Sequence, residues 1–326
     1  MTLVSPSGSS FARMDRTRHL RSNDGILQLG RLDGRLHNSA CADIFIARSR
    51  LEGAVALSAL AGVPISIADL HHWIAGRTPP PRASEGLNDP ISVAAIFHVA
   101  LTRDDDAKDP LSRSTLNTLR TILDDRDEAR TYGSNDLVHF GPLWRRVREI
   151  ALAPFAERDL LAVAERVFEL AEMTEQGPSA ASEVATIDGR TWQLSAPSRD
   201  RNWLFATAMP LMLHRAGFTG RVIPSLTLLE KFLPASPGAL SEQLADKLGQ
   251  VASAGLRDLT AIERSMDRAA VHRQFTKRSK APLLARLLIA YPGLQAGAVA
   301  TLLGVTPQGA RKLLAATTRP SVPMLV

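Results

Sequence analysis

The residues best suited to chemistry lie close together near the C-terminal end of the chain: Thr306, Pro307, Gln308, Arg311 and Lys312. Gln308 carries an amide that both donates and accepts, Arg311 a planar fork of donors, and Lys312 a compact point charge. At spacings of three and four, these three side chains share one face of a helix. An amide and a guanidinium on one helix face suit hydrogen bonding to base edges in a DNA major groove, Gln to adenine and Arg to guanine. Arg and Lys suit phosphate oxygens equally well. Lys277, Arg278 and Lys280, just upstream, add cations for phosphate positioning.

Such a face works only if neighbouring elements present it. The segment from Ala296 to Leu314 has the residue types that two short helices crossing over a tight turn require. Gly304 supplies a residue for the left-handed backbone of the turn. Ala300 is small enough for close helix approach, and Val299, Leu303, Val305, Ala310 and Leu313 supply an apolar wedge. Thr306 is placed to cap the second helix, with Pro307 at its first position. A supporting helix is predicted over Leu283 to Ala290, started after Pro282. The whole reads as a helix-turn-helix from about Leu283 to Thr317. Pro320 and Pro323 in the last residues disfavour the paired strands of a wing.

Charge distribution points the same way. The net charge is +6, but from Arg268 to Val326 there is no Asp or Glu and there are nine basic residues. An acidic middle is therefore followed by a wholly basic end, which suits an anionic partner or a broad solvated face.

The 326 residues allow a large domain plus a small module, and 45% apolar content suffices for a core. Apolar periodicity predicts helices over Asp43–Leu60, Ser66–Trp73, Asp89–Thr102, Ser112–Arg130, Phe140–Ala153, Glu157–Glu175, Asn202–Arg215 and Leu240–Ala270. Asp188-Gly189 suggests a short β-hairpin near 184–194. The Pro-rich stretch Arg77 to Arg82 reads as a stiff linker. Trp73, Trp144, Trp192 and Trp203 read as core anchors, and Glu52 as a residue free to pair with Arg48 or to face solvent.

Enzyme signatures are absent. No GxGxxG, GxxxxGK or HExxH string occurs. His71-His72 are adjacent, so they point about 100° apart on a helix and suit one metal poorly. The single cysteine, Cys41, excludes an intrachain disulfide and a Cys-rich zinc site. The acidic clusters at Asp104–Asp106 and Asp124–Glu128 lack the spacing of a calcium loop. No apolar run approaches the roughly 18 residues of a membrane helix.

With these stretches in view, the chain resembles an alphaproteobacterial family of unknown function, often plasmid-borne. That family joins an uncharacterised helical domain to a C-terminal helix-turn-helix. The resemblance rests on Arg48 to Pro64, Arg77 to Glu85 and the helix-turn-helix, and it implies DNA binding without a known reaction. Arg48 to Gly53 is also faintly similar to an early helix of Fic-type nucleotidyl transferases. Their His-Pro-Phe loop and Gly-Asn-Gly-Arg cradle are missing here, and His139-Phe140-Gly141 is the nearest fragment.

The sequence thus predicts an all-α protein with three parts: a flexible arm over residues 1–24, a helical domain over 25–267, and a basic helix-turn-helix module over 268–326 that lacks a wing. The expected function is sequence-specific binding of double-stranded DNA in transcriptional or plasmid-related regulation. The setting expected is the cytoplasm, with no catalysis, cofactor or metal, and with a homodimer to reinforce binding. A helical protein-interaction module without DNA binding is the alternative.

Overall fold

A computed structural model describes residues 24–79, 89–102, 109–124, 141–175, 182–185, 191–194, 201–270 and 279–318. The expected arm lies outside these residues except for Asp24, which opens helix α1 (residues 24–38). The helices α2 (Ala42–Leu60), α3 (Ile67–Ile74), α4 (Pro90–Ala100), α5 (Pro110–Asp124), α6 (Gly141–Leu152) and α7 (Leu160–Glu175) follow. Two four-residue strands, β1 (Ser182–Ala185) and β2 (Thr191–Leu194), pair antiparallel with Val184 opposite Trp192. The residues between them, Asp188-Gly189 included, lie outside the described ones. Then come α8 (Asn202–Arg215), the long α9 (Pro237–Ala270), α10 (Ala281–Ala290), α11 (Ala296–Leu303) and α12 (Pro307–Thr318). Apart from the one strand pair, every regular element described is a helix, so the fold is all-α.

Helix α2 is the central element. Ile44, Ala47, Leu51, Ala54 and Leu57 are fully buried, and so are the polar Ser49, Arg50 and Ser58. An apolar surface that runs all round a helix requires neighbours on every side. Helices α4, α5, α8, α9 and α10 supply them. Asp89 caps α4 by accepting from Ser92 N–H at 2.8 Å, with Pro90 in the first turn, and Ser66 caps α3 by accepting from Asp69 N–H at 3.0 Å. Arg48 forms its ion pair with Asp258 of α9 at 3.0 Å, across helices, while Glu52, four residues on, is exposed.

Helix α1 was not marked by sequence periodicity, because Gly25, Gly30 and Gly34 lower its helix propensity. Leu29, Leu32 and Leu36, at helical spacing, bury it nonetheless. At about 1.5–3 kcal/mol per buried leucine, they outweigh a penalty of about 1 kcal/mol per glycine. Gly25 also lets α1 meet α9 backbone to backbone: a Cβ there would stand 2.3 Å from the Ala245 carbonyl oxygen.

Helices α10 to α12 close the chain. Leu284, Leu287, Ala290, Tyr291, Val299 and Ala310 belong to the same buried cluster as α2 and α5. The boundary expected at 267/268 falls in the last turn of α9, which runs to Ala270. Among the described residues, no helix is long and apolar enough to cross a membrane. Nor do three or more His, Cys, Asp or Glu converge in a way that could hold a metal.

Candidate nucleic-acid interface

The turn between α11 and α12 is built as its residue types demand. Gly304 has φ 57° and ψ 50°, in the left-handed region where residues with a Cβ are strained. Val305 N–H donates to Ala300 O at 3.0 Å and Gly304 N–H to Thr301 O at 3.3 Å, which satisfies the last carbonyls of α11. Two residues on, the Thr306 hydroxyl accepts from Gly309 N–H at 3.1 Å and so caps α12, whose first residue is Pro307. The wedge is filled as the sequence predicts: Val299, Leu303 and Ala310 are buried, and Val305 and Leu313 pack partly buried against them.

This packing turns the other face of α12 outward. Thr306, Pro307, Gln308, Arg311, Lys312, Ala315 and Ala316 are all exposed. Along this stripe the polar side chains Gln308, Arg311 and Lys312 give way to the alanines. Neither Arg311 nor Lys312 is paired with a carboxylate among the described residues. Because the chain carries no Asp or Glu beyond Asp267, none on α10 to α12 neutralises this stripe.

The upstream cations are placed differently. Lys277 and Arg278 lie outside the described residues. The Lys280 ammonium turns back onto the carbonyls of Leu303 and Gly304, where it complements the C-terminal end of α11. It therefore braces the turn, while the residue itself stays exposed.

Helices α10 to α12 are fastened to the body at several points. Arg286 of α10 forms a two-pronged pair with Asp43 at the start of α2, its Nε donating at 2.7 Å, and also donates to Ala40 O at 2.7 Å. Tyr291, fully buried at the end of α10, shares a hydrogen bond of 2.9 Å with the Thr115 hydroxyl of α5. Burial pushes its phenol pKa up, so the ring stays neutral. The His71 ring of α3 stands edge-on to Tyr291 at 6.2 Å. Behind this junction lie Arg50, which donates to Ser112 Oγ at 3.3 Å, and the fully buried His98. Burial, reinforced by the Arg50 charge, holds the His98 pKa well below the usual histidine range.

Spacing alone does not bring two further residues to this end of the molecule. Gln295 N–H, at the start of α11, donates to Ala75 O at 2.9 Å. Arg77 Nε donates to Gly293 O at 3.2 Å. The loop after α3 is thus sewn to the start of α11. Both side chains are exposed. Contacts spanning more than two hundred residues leave no signal in local sequence pattern; the isolated Arg-Thr-Pro string reads only as linker.

No family model matches the chain, and neither curated proteins nor solved structures yield a match. What the surface does must be read from its own residues.

Proposed function

We propose that this chain binds double-stranded DNA sequence-specifically and acts as a transcriptional or plasmid-related regulator. Helices α11 and α12, joined over Gly304, serve as a helix-turn-helix, with α12 in the major groove. The observation that carries this reading is the exposed stripe Thr306, Pro307, Gln308, Arg311 and Lys312, free of carboxylates and backed by a filled apolar wedge. Gln308 and Arg311, in the first half of α12, stand where a reading helix addresses base edges. Lys312 serves phosphate. A second copy of the chain would present the same face to a half-site one helical turn away, at about 34–36 Å.

Fluorescence anisotropy of the full chain with mixed duplexes at two salt concentrations tests this. DNA binding predicts an affinity that falls steeply with salt for most duplexes, with few surviving at the higher concentration. Lys312→Ala should weaken all duplexes alike. Binding that is absent, or indifferent to salt, would favour the protein-interaction alternative.

A further inference from the structure

We infer that Arg77, which belongs to the body and not to the C-terminal helices, is a phosphate contact of the same DNA interface, so that the body and helices α10 to α12 together grip the duplex. This rests on the DNA-binding reading of α12.

The Arg77 guanidinium is exposed and positioned. Its Nε donates to Gly293 O at 3.2 Å. It lies so close over Gly293 that a Cβ there would stand 2.0 Å from Nη2, so a side chain at this position would displace the guanidinium. Gln295 Nε2 donates to the same carbonyl at 3.3 Å, and Gly76 packs on Ala298, where a Cβ would stand 3.2 Å from the alanine Cβ. One nitrogen thus holds the guanidinium in place, while its two terminal amino groups have no partner among the described residues. A docking contact alone would be served by an uncharged donor. A fixed guanidinium with both outer nitrogens unused matches the geometry with which arginine grips phosphate.

Its location fits the backbone of a duplex read by α12. In a helix-turn-helix the first helix crosses the sugar-phosphate backbone while the second lies in the groove. Helix α11 has eight residues, so its start is about 12 Å from the turn. The major groove is also about 12 Å wide. The phosphates flanking a groove filled by α12 therefore pass near the start of α11, where Arg77 sits. No carboxylate pairs with Arg77 among the described residues, so its charge is available.

The test is a salt titration of binding to a mixed-sequence duplex of about 30 base pairs, a probe that reports the sequence-independent electrostatic part of binding. Arg77→Ala should lower the slope of log affinity against log salt by about one, because one phosphate contact is lost. Its deficit relative to wild type should shrink roughly three- to fourfold between 50 and 200 mM salt. Arg77→Lys should keep the wild-type slope. Arg77→Gln is uncharged yet able to donate to Gly293 O; it should lose the slope as Ala does, and it carries the test if the alanine variant melts early. An unchanged slope in Arg77→Gln, with Lys312→Ala still lowering it, would overturn the assignment of Arg77 and leave the role of α12 standing. Absence of salt-dependent DNA binding by the wild-type chain would overturn both.

Discussion

Arg311 and Gln308 carry the specificity proposed for this chain, and each is testable alone. Arg311→Ala should cost about 1–3 kcal/mol on the preferred duplex and relax the preference at one base position, read by competition binding against single-base variants. An equal loss on every duplex would make Arg311 a phosphate contact. Gly304 tests the turn. Its added Cβ would meet nothing within 4 Å, so the cost of a side chain comes from the left-handed backbone and not from a clash. Gly304→Asn should therefore be mild and Gly304→Val costlier, by about 1–2 kcal/mol or more in thermal unfolding. Equal melting of the two variants would contradict this account of the turn. His98 tests the buried junction. Its pKa is depressed in the folded state, so the unfolded chain binds the extra proton below the ordinary histidine value. The stability this represents is full above about pH 6.5 and is lost as pH falls, at up to about 1.4 kcal/mol per pH unit. His98→Leu should flatten that acid-side slope in denaturant titrations at pH 5 to 7; a slope unchanged by the substitution would exclude His98 as its source.

At the scale of elements, the orientation of α12 depends on how α10 is held. The Asp43–Arg286 pair is about three-quarters buried on both sides, with side-chain exposures of 22% and 25%. Asp43→Ala leaves that guanidinium short of its carboxylate and should cost about 1–2 kcal/mol, less than for a fully buried pair because solvent still screens it. The loss should be greater in DNA affinity at fixed salt than that of an exposed control such as Asp246→Ala; equal affinities for the two variants would show that docking does not orient α12. Most of these elements were legible in the sequence. Caps at Ser66, Asp89 and Thr306, with Pro90 and Pro307 beside them, mark helix starts through local chemistry. Helix α1 was not legible, because its glycines argue against a helix and the surface of α9 makes use of one of them, Gly25. The same is true of the docking contacts. Asp43 with Arg286, Thr115 with Tyr291 and Ala75 with Gln295 join residues far apart in the chain. Lys280 adds a contact of the same kind: its ammonium meets two helix-end carbonyls more than twenty residues away, which local charge and position do not announce.

At the scale of the whole molecule, an acidic middle and a carboxylate-free end meet in a single core. The basic end therefore shares its buried packing with the body. Cutting after residue 267 would remove Leu284, Leu287 and Tyr291 from the packing of α2 and α5. The truncated chain should melt well below the full one, so point variants on the exposed stripe are the cleaner test of function. The most direct of these is selection from a randomised duplex library by the full-length chain and by its Gln308→Ala and Arg311→Ala variants, with the enriched sequences read out. The expected result is one short motif for the wild type, with preference lost at different positions in the two variants. No enriched motif, or a motif that both variants reproduce unchanged, would contradict the assignment of α12 as a reading helix.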